Sequence, residues 1–210
     1  MNLPKIKIIN NFVVILIVLL GSAVFTSYFQ VIRDVLSQDG HHDFQWSPAK
    51  LVFENINHYQ YMLDGNTEKI MMSQYGEYLH GLYILFFPYT LMDWPYAKIA
   101  WMATNIFLLF IIPIMICRKF SISLEKSILI IFFFSFCIVS KVQIVTGQQT
   151  LIILFFFILP FIKETKINIL LSGISYYKYT IGYAIFLFFL SSKKYKFLFL
   201  TIIPSILGWF

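Results

Sequence analysis

Long stretches without a charged residue limit this chain more than any other feature of its sequence. Ile8–Ile32, Ile99–Cys117 and Val142–Ile162 hold 25, 19 and 21 residues without Asp, Glu, Lys or Arg. A helix that crosses the hydrocarbon core of a bilayer needs about 20 apolar residues, so each of these runs is long enough to cross once. The pattern predicts an all-α fold, a polytopic bundle of transmembrane helices.

The composition excludes several other classes of protein. Only 12% of the 210 residues are charged, 59% are hydrophobic, and the mean hydropathy is +0.77. A soluble domain carries about 25% charged residues, which this chain lacks, so a soluble enzyme or a nucleic-acid binder is excluded. Cys117 and Cys137 lie in or beside apolar runs, where we expect small buried hydrophobic residues rather than a disulfide.

The first apolar run predicts a helix over Asn11–Phe29 whose start is held in the cytoplasm by Lys5 and Lys7. The same residues, followed by the small residues 21–23, also resemble a secretory signal peptide. Because the uncharged run continues to Ile32 and further apolar runs follow, we expect an uncleaved transmembrane helix.

Residues 30–78 form the one long polar stretch and hold seven of the ten acidic residues. Cytoplasmic loops favour Lys and Arg, so this acidic loop is expected on the extracytoplasmic side. Within it, Pro48 predicts the first turn of a helix that runs to Ile56, and Asp64-Gly65-Asn66 predicts a turn.

The apolar runs after the loop are mostly short, and positive clusters separate them. The expected segments are Leu79–Asp93, a turn at Trp94-Pro95, Tyr96–Cys117, Ser127–Ser140, Thr150–Ile162, Ile167–Tyr177, Tyr179–Ser192 and Phe197–Phe210.

Three of those clusters, 118–126, 163–166 and 193–196, are expected in the cytoplasm. Gln143–Gln149 and Lys178 then become outward-pointing tips of two helical hairpins within the depth of the membrane. This holds only if Leu79–Asp93 does not cross; if it crosses, the Arg118 cluster lies outside.

Asp43 is a candidate general base, because a carboxylate near a membrane interface is partly excluded from water, which raises its basicity. A solvated loop aspartate is the alternative interpretation. A metal site formed by His41, His42, Asp43 and His58 is a further alternative, although no HxxxH spacing supports it. No metal is therefore expected.

Gln148 and Lys178 are candidate binding residues. The Gln148 amide suits a hydrogen bond to a sugar, or it caps a helix end. Lys178 is a cation within an otherwise uncharged stretch of 26 residues, and such residues are functional candidates unless they extend to the interface. Lys141 is likewise either a functional cation or a lysine that extends to the membrane interface, and the second interpretation is favoured.

Aromatic residues and a histidine lead into the second apolar run: Tyr75, Tyr78, His80 and Tyr83. Such a group is more typical of an aromatic belt at the membrane interface than of a binding surface. Both interpretations stay open.

Four motifs occur in a characteristic order. They are Asp43-Phe44 after the first span, the segment Ala49–Tyr59, Gly147-Gln148-Gln149-Thr150, and Gly173 followed by Lys178 in a short apolar pair. In this order they resemble the GT-C superfamily of membrane glycosyltransferases, and specifically the bacterial polyprenyl-phosphate-mannose-dependent mannosyltransferases. Members of that branch are about twice as long, so the resemblance implies one module over 1–210 that is incomplete at its C-terminus.

The resemblance implies an inverting hexosyltransferase of the bacterial plasma membrane that needs no cofactor. Its substrates would be a polyprenyl phosphate sugar, such as the mannose derivative, and a lipid or glycan acceptor. Asp43 would be the catalytic base, and the substrate-binding residues would be Gln148, Lys178, His80, Tyr75 and Gln45. A transporter or channel component and an inactive glycosyltransferase remnant are the alternatives.

Overall fold

The computed structural model describes residues 3–37, 45–71 and 81–207, and all regular structure in these ranges is helical. This confirms the all-α prediction. In chain order the helices are α1 Leu3–Leu36, α2 Trp46–Phe53, α3 His58–Leu63, α4 Gly81–Thr90, α5 Trp94–Lys119, α6 Leu124–Phe136, α7 Ile138–Val145, α8 Thr150–Ile162, α9 Lys166–Ser172, the 3₁₀ segment Gly173–Tyr177, α10 Tyr179–Ser191 and α11 Tyr195–Leu207.

Two of the described helices are long and apolar enough to cross a membrane. They are Val14–Leu36 within α1, with a mean hydropathy of 2.1, and α5, with a mean hydropathy of 2.3. α1 extends past the expected end at Phe29, so the prediction of a loop from residue 30 is wrong. Val31 and Val35 are buried in the core, and this packing continues the helix despite the charged residues beside them.

In the described part of the segment predicted as Leu79–Asp93, residues 81–93, the helix is the 10-residue α4, which by itself is about 15 Å long and shorter than a bilayer core. The turn predicted at Trp94-Pro95 is also wrong, because both residues lie in the first turn of α5. Proline suits this position, since the N–H that it lacks would have no partner within the helix there. The chain turns instead at residues 91–93.

The predicted run Ser127–Ser140 is broken at Cys137, where the backbone leaves the helical conformation (φ −56°, ψ 131°). The Ser140 hydroxyl donates to the Phe134 carbonyl oxygen at 2.6 Å and satisfies one of the carbonyls that the break exposes. A new helix, α7, follows the break and includes the first three residues of the segment Gln143–Gln149 that was expected as a hairpin tip. Cys137 is exposed, which corrects the expectation of burial, whereas Cys117 is buried and both thiols are free.

Contacts between helix ends show how the helices run. The Lys98 ammonium donates to the Ser37 carbonyl oxygen at 3.3 Å, so α5 begins beside the end of α1. The Trp101 indole N–H donates to the Gly147 carbonyl oxygen at 3.1 Å, which puts the start of α8 beside the first turns of α5. We call this end of the bundle the site end.

The opposite end carries eight of the 16 Lys and Arg residues. α5 continues for about 27 Å beyond Trp101, and its later residues share one apolar core with α8, so the two helices run side by side. The Lys194 ammonium and the Glu164 carboxylate, 2.6 Å apart, join the loops after α8 and α10. We call this end the lysine end; it contains Arg118, Lys119, Lys126, Lys163, Lys166, Lys193, Lys194 and Lys196.

Three groups of buried residues hold these helices together. The first lies between α1, α5, α7 and α8, and the third joins α9, α10 and α11. The second, here named the site-end cluster, joins α2, α4 and α5 to α8 and the 3₁₀ segment; its buried members are Trp46, Ala49, Leu82, Tyr83, Phe86, Ala97, Trp101, Ile153 and Tyr177.

Candidate functional site

The site-end cluster connects three of the segments that sequence analysis selected. Trp46 follows Gln45, Trp101 holds the carbonyl of Gly147, and Tyr177 precedes Lys178. Residues that lie far apart in the chain therefore adjoin one apolar support. Because this support is buried and largely aromatic, the polar residues at its edge are held on a rigid base.

The turn after α7 follows from its glycine. Gly147 has φ 65°, which is favourable for glycine, and its N–H donates to the Ile144 carbonyl oxygen at 3.1 Å. The Gln148 N–H reaches back to the Gln143 carbonyl oxygen at 2.9 Å, which completes a Schellman motif. Gln148 is half-buried and Gln149 is buried, so the motif directs the chain into α8 at a fixed position.

Lys178 lies between the 3₁₀ segment and α10, and its side chain is half-buried. Its ammonium donates to the Thr150 hydroxyl oxygen at 2.8 Å. The structure thus brings together the two motifs that the sequence predicts as outward-pointing hairpin tips. The sequence gives Thr150 no role of its own; its place as a hydroxyl residue at the start of the predicted run Thr150–Ile162 is the signal that points to it.

The charge on Lys178 is not balanced by a carboxylate within the described ranges. An ammonium has three N–H donors, and the Thr150 hydroxyl takes one of them. No Asp or Glu among residues 3–37, 45–71 and 81–207 forms an ion pair with Lys178. A half-buried ammonium with two further N–H donors favours an anionic ligand.

Gln45 is 3% exposed and has φ 74°, directly before α2. Its carbonyl oxygen accepts from the Ala49 N–H at 3.0 Å, so it forms the helix start predicted near Pro48. The next residue, Trp46, donates its indole N–H to the Tyr89 carbonyl oxygen at 2.9 Å. α2 is therefore fastened to α4, although it ends at Phe53 and not at the expected Ile56. The turn expected at residues 64–66 is confirmed by φ 75° at Gly65.

His58 and Tyr83 form a buried pair and contribute to packing. The Tyr83 hydroxyl and His58 Nε2 are 3.2 Å apart, and the ring of Tyr59 lies 3.8 Å from the imidazole. Tyr83 is fully buried, so its expected place in an interfacial belt is wrong. Within the described ranges no group of three or more metal-ligating residues occurs.

Several predicted site residues lie outside the described residues: Asp43, Tyr75 and His80, together with His41, His42 and Tyr78. Asp43 precedes the buried Gln45 by two residues, and His80 directly precedes α4. The described flanks of both therefore belong to the elements that carry the site-end cluster.

A cleft of about 260 Å³ opens beside α2 and is lined by both signs of charge. The Lys69 ammonium and the Glu54 carboxylate are 2.7 Å apart, which raises the pKa of Lys69 above its usual value through this hydrogen bond. The Met71 N–H donates to the Ser47 hydroxyl oxygen at 3.0 Å. These contacts fasten the segment after α3 onto α2; the cleft is lined by Trp46, Lys50, Leu51, Glu54, Glu68, Lys69 and Met71.

Comparison with known proteins gives no match among protein-family models, curated proteins or solved structures.

Proposed function

We propose that this chain is a membrane glycosyltransferase that moves a hexose, such as mannose, from a polyprenyl phosphate to an extracytoplasmic acceptor hydroxyl. The observation that carries the proposal is the position of Lys178. Its half-buried ammonium meets the Gly147–Thr150 motif and faces no described carboxylate. A cation so placed suits the phosphate of a lipid-linked sugar.

The surface of α1 supports insertion into a membrane. Only 11% of its most apolar 18-residue window is buried, so α1 is not a core helix of a soluble fold. Phe25 and Phe29 are 74% and 67% exposed. An apolar surface of this extent is characteristic of contact with lipid.

The positions of the charges support one orientation. Every cation of the lysine end would face the cytoplasm, as the positive-inside bias favours. α5 begins beside the end of α1, so these two helix ends lie on the same side of the membrane. With the start of α1 in the cytoplasm, the site end then lies at the extracytoplasmic face, where lipid-linked sugars of this class are used.

In the proposed reaction the acceptor oxygen attacks the anomeric carbon with inversion. The new carbon–oxygen bond forms as the bond between that carbon and the phosphate oxygen breaks, and its electron pair leaves with the phosphate. Asp43 would accept the proton of the acceptor hydroxyl. Lys178 would offset the charge that develops on the phosphate, and Gln148 and His80 would orient the sugar or the phosphate.

The test is sugar transfer in membranes that contain the chain, with polyprenyl phosphate mannose carrying radiolabelled mannose as the donor. Asp43→Asn should lower transfer by about 10²-fold or more, because it removes a general base. Asp39→Asn, the same chemical change four residues earlier in the chain, should leave transfer unchanged. Absence of transfer by the unmodified chain would contradict the proposal, and full activity of Asp43→Asn would remove Asp43 from the mechanism.

A further inference from the structure

A second pocket lies at the lysine end, far from Lys178. It has a volume of about 360 Å³ and is lined by five consecutive residues of the α10–α11 connection, which are Lys193, Lys194, Tyr195, Lys196 and Phe197. Three lysines and two aromatic residues thus contribute to the lining of one depression. None of these residues has a role in the proposed transfer reaction.

The connection that forms this pocket is well anchored. The Lys194 N–H donates to the Phe189 carbonyl oxygen at 2.9 Å, and the Lys193 N–H donates to the Leu190 carbonyl oxygen at 3.0 Å. The Lys194 ammonium is 2.6 Å from the Glu164 carboxylate. The pocket is therefore fixed to the α8–α9 loop, and not only to its own helices.

That loop adds further positive charge. Lys163 and Lys166 flank Glu164, so five lysines and one glutamate meet at this corner of the lysine end. The described residues offer no hydrogen-bonding or ion-pair partner to the ammonium groups of Lys193 and Lys196. Both side chains are exposed, so their charges are available to an anion from outside the chain.

Apolar surface borders the same corner. Phe199 on α11 is 72% exposed, and Leu187 and Leu190 on α10 are 46% and 41% exposed. A ligand that fits both features carries a negative headgroup on an apolar tail. Basic pockets at the cytoplasmic ends of transmembrane helices bind anionic lipids in this way.

We propose that the 193–197 pocket binds the phosphate headgroup of an anionic phospholipid, with the lipid tail along the exposed faces of α10 and α11. The proposal rests on the membrane insertion of the proposed function and not on sugar transfer. It also assigns the lysine end a specific partner in the cytoplasmic leaflet.

The experiment measures lipid binding to the purified chain in detergent micelles, by native mass spectrometry with added phosphatidylglycerol or phosphatidylcholine. The test variant is Lys193→Gln with Lys196→Gln. The control, Lys119→Gln with Lys126→Gln, removes the same charge from another part of the lysine end. Each lysine near an anionic surface changes affinity about fivefold, so the test variant should bind phosphatidylglycerol about 30-fold more weakly.

The control variant should retain phosphatidylglycerol, and phosphatidylcholine should bind weakly to all forms. Equal losses in the two variants would mean diffuse attraction and would overturn the site. Displacement of the lipid by millimolar inorganic phosphate would overturn the assignment to a lipid. Because no sugar donor is present, loss of transfer activity has no effect on this result, and circular dichroism of each variant verifies its folding.

Discussion

Lys178 and Thr150 are 28 positions apart in the sequence, and the Lys178 ammonium donates to the Thr150 hydroxyl oxygen at 2.8 Å. The contact joins the start of α8 to the start of α10 and fixes where the cation lies. Under the proposed function Thr150 is a positioning residue, because it acts on the phosphate only through Lys178.

Thr150→Val should raise the KM for the polyprenyl phosphate mannose donor about tenfold, because a hydrogen bond to a charged group contributes about 1.5–3 kcal/mol. Thr150→Ser should restore the KM, since it returns the hydroxyl. Thr26→Val is the control, because that hydroxyl donates to the Ser22 carbonyl oxygen in α1, away from the site. An unchanged KM in Thr150→Val would remove the positioning role.

Lys178→Ala should lower transfer by about 10²-fold or more if the ammonium offsets charge on the departing phosphate. Lys178→Arg should retain part of the activity, because it keeps the charge but changes its shape and reach. Steady-state transfer rates at saturating donor measure both effects. A Lys178→Ala variant that is inserted normally and transfers sugar at the unmodified rate would exclude this role.

The sequence predicts that Lys178 and the Gln148 motif lie at the same end, because three positive clusters mark the opposite end. The partner hydroxyl was not predictable, since the choice of Thr150 over its neighbours depends on how α8 and α10 pack. Likewise, hydropathy located Thr150–Ile162 correctly but gave no indication of the break at Cys137. At that break the Ser140 hydroxyl donates to the Phe134 carbonyl oxygen, and charge-free runs carry no information about such a contact.

Gly173 is required by a close approach of two helices. A Cβ at this position would overlap the Thr201 carbonyl oxygen and lie 2.9 Å from Pro204 Cδ, both on α11. Gly173→Ala should therefore separate α11 from the 3₁₀ segment and lower the melting temperature of the chain in micelles. The backbone oxygen cannot move aside as a flexible side chain could.

Gly21→Ala is the matched control for Gly173→Ala, because nothing lies within 4 Å of a Cβ at Gly21 in α1. Alanine favours a helix by about 1 kcal/mol over glycine, so this variant should melt at the same temperature or higher. Equal melting temperatures for the two variants, measured by far-UV circular dichroism, would show that the close packing against α11 is not required.

Trp101 anchors the turn at Gly147 through a hydrogen bond from its buried side chain. Its ring is 2% exposed, and its indole N–H donates to the Gly147 carbonyl oxygen at 3.1 Å. Trp101→Phe removes this donor and leaves a buried carbonyl without it, which should cost about 1–3 kcal/mol of stability. Tyr96→Phe, on an exposed ring one turn earlier, should change stability by less than about 0.5 kcal/mol. Thermal melting in micelles compares the two, and equal values would contradict the anchoring role.

The orientation of the bundle gives a prediction that is independent of catalysis. α1 ends beside the start of α5, and under the proposed orientation both of these helix ends lie on the extracytoplasmic side. In a chain with Cys117→Ser and Cys137→Ser, single cysteines at Asp43 or Glu68 should react in intact cells with a membrane-impermeant maleimide. A cysteine at Lys126, beyond the far end of α5, should react only after lysis.

Labelling at positions 43, 68 and 126 also distinguishes an inverted orientation of the bundle from a helix α5 that does not cross the membrane. Labelling of Asp43→Cys and Glu68→Cys only after lysis would place the site end in the cytoplasm, where lipid-linked sugars of the proposed class are not used, and would reject the glycosyltransferase proposal. Labelling of Lys126→Cys in intact cells, together with the other two, would mean that α5 does not cross. Its 26 residues would then lie on one side of the membrane, despite a mean hydropathy of 2.3.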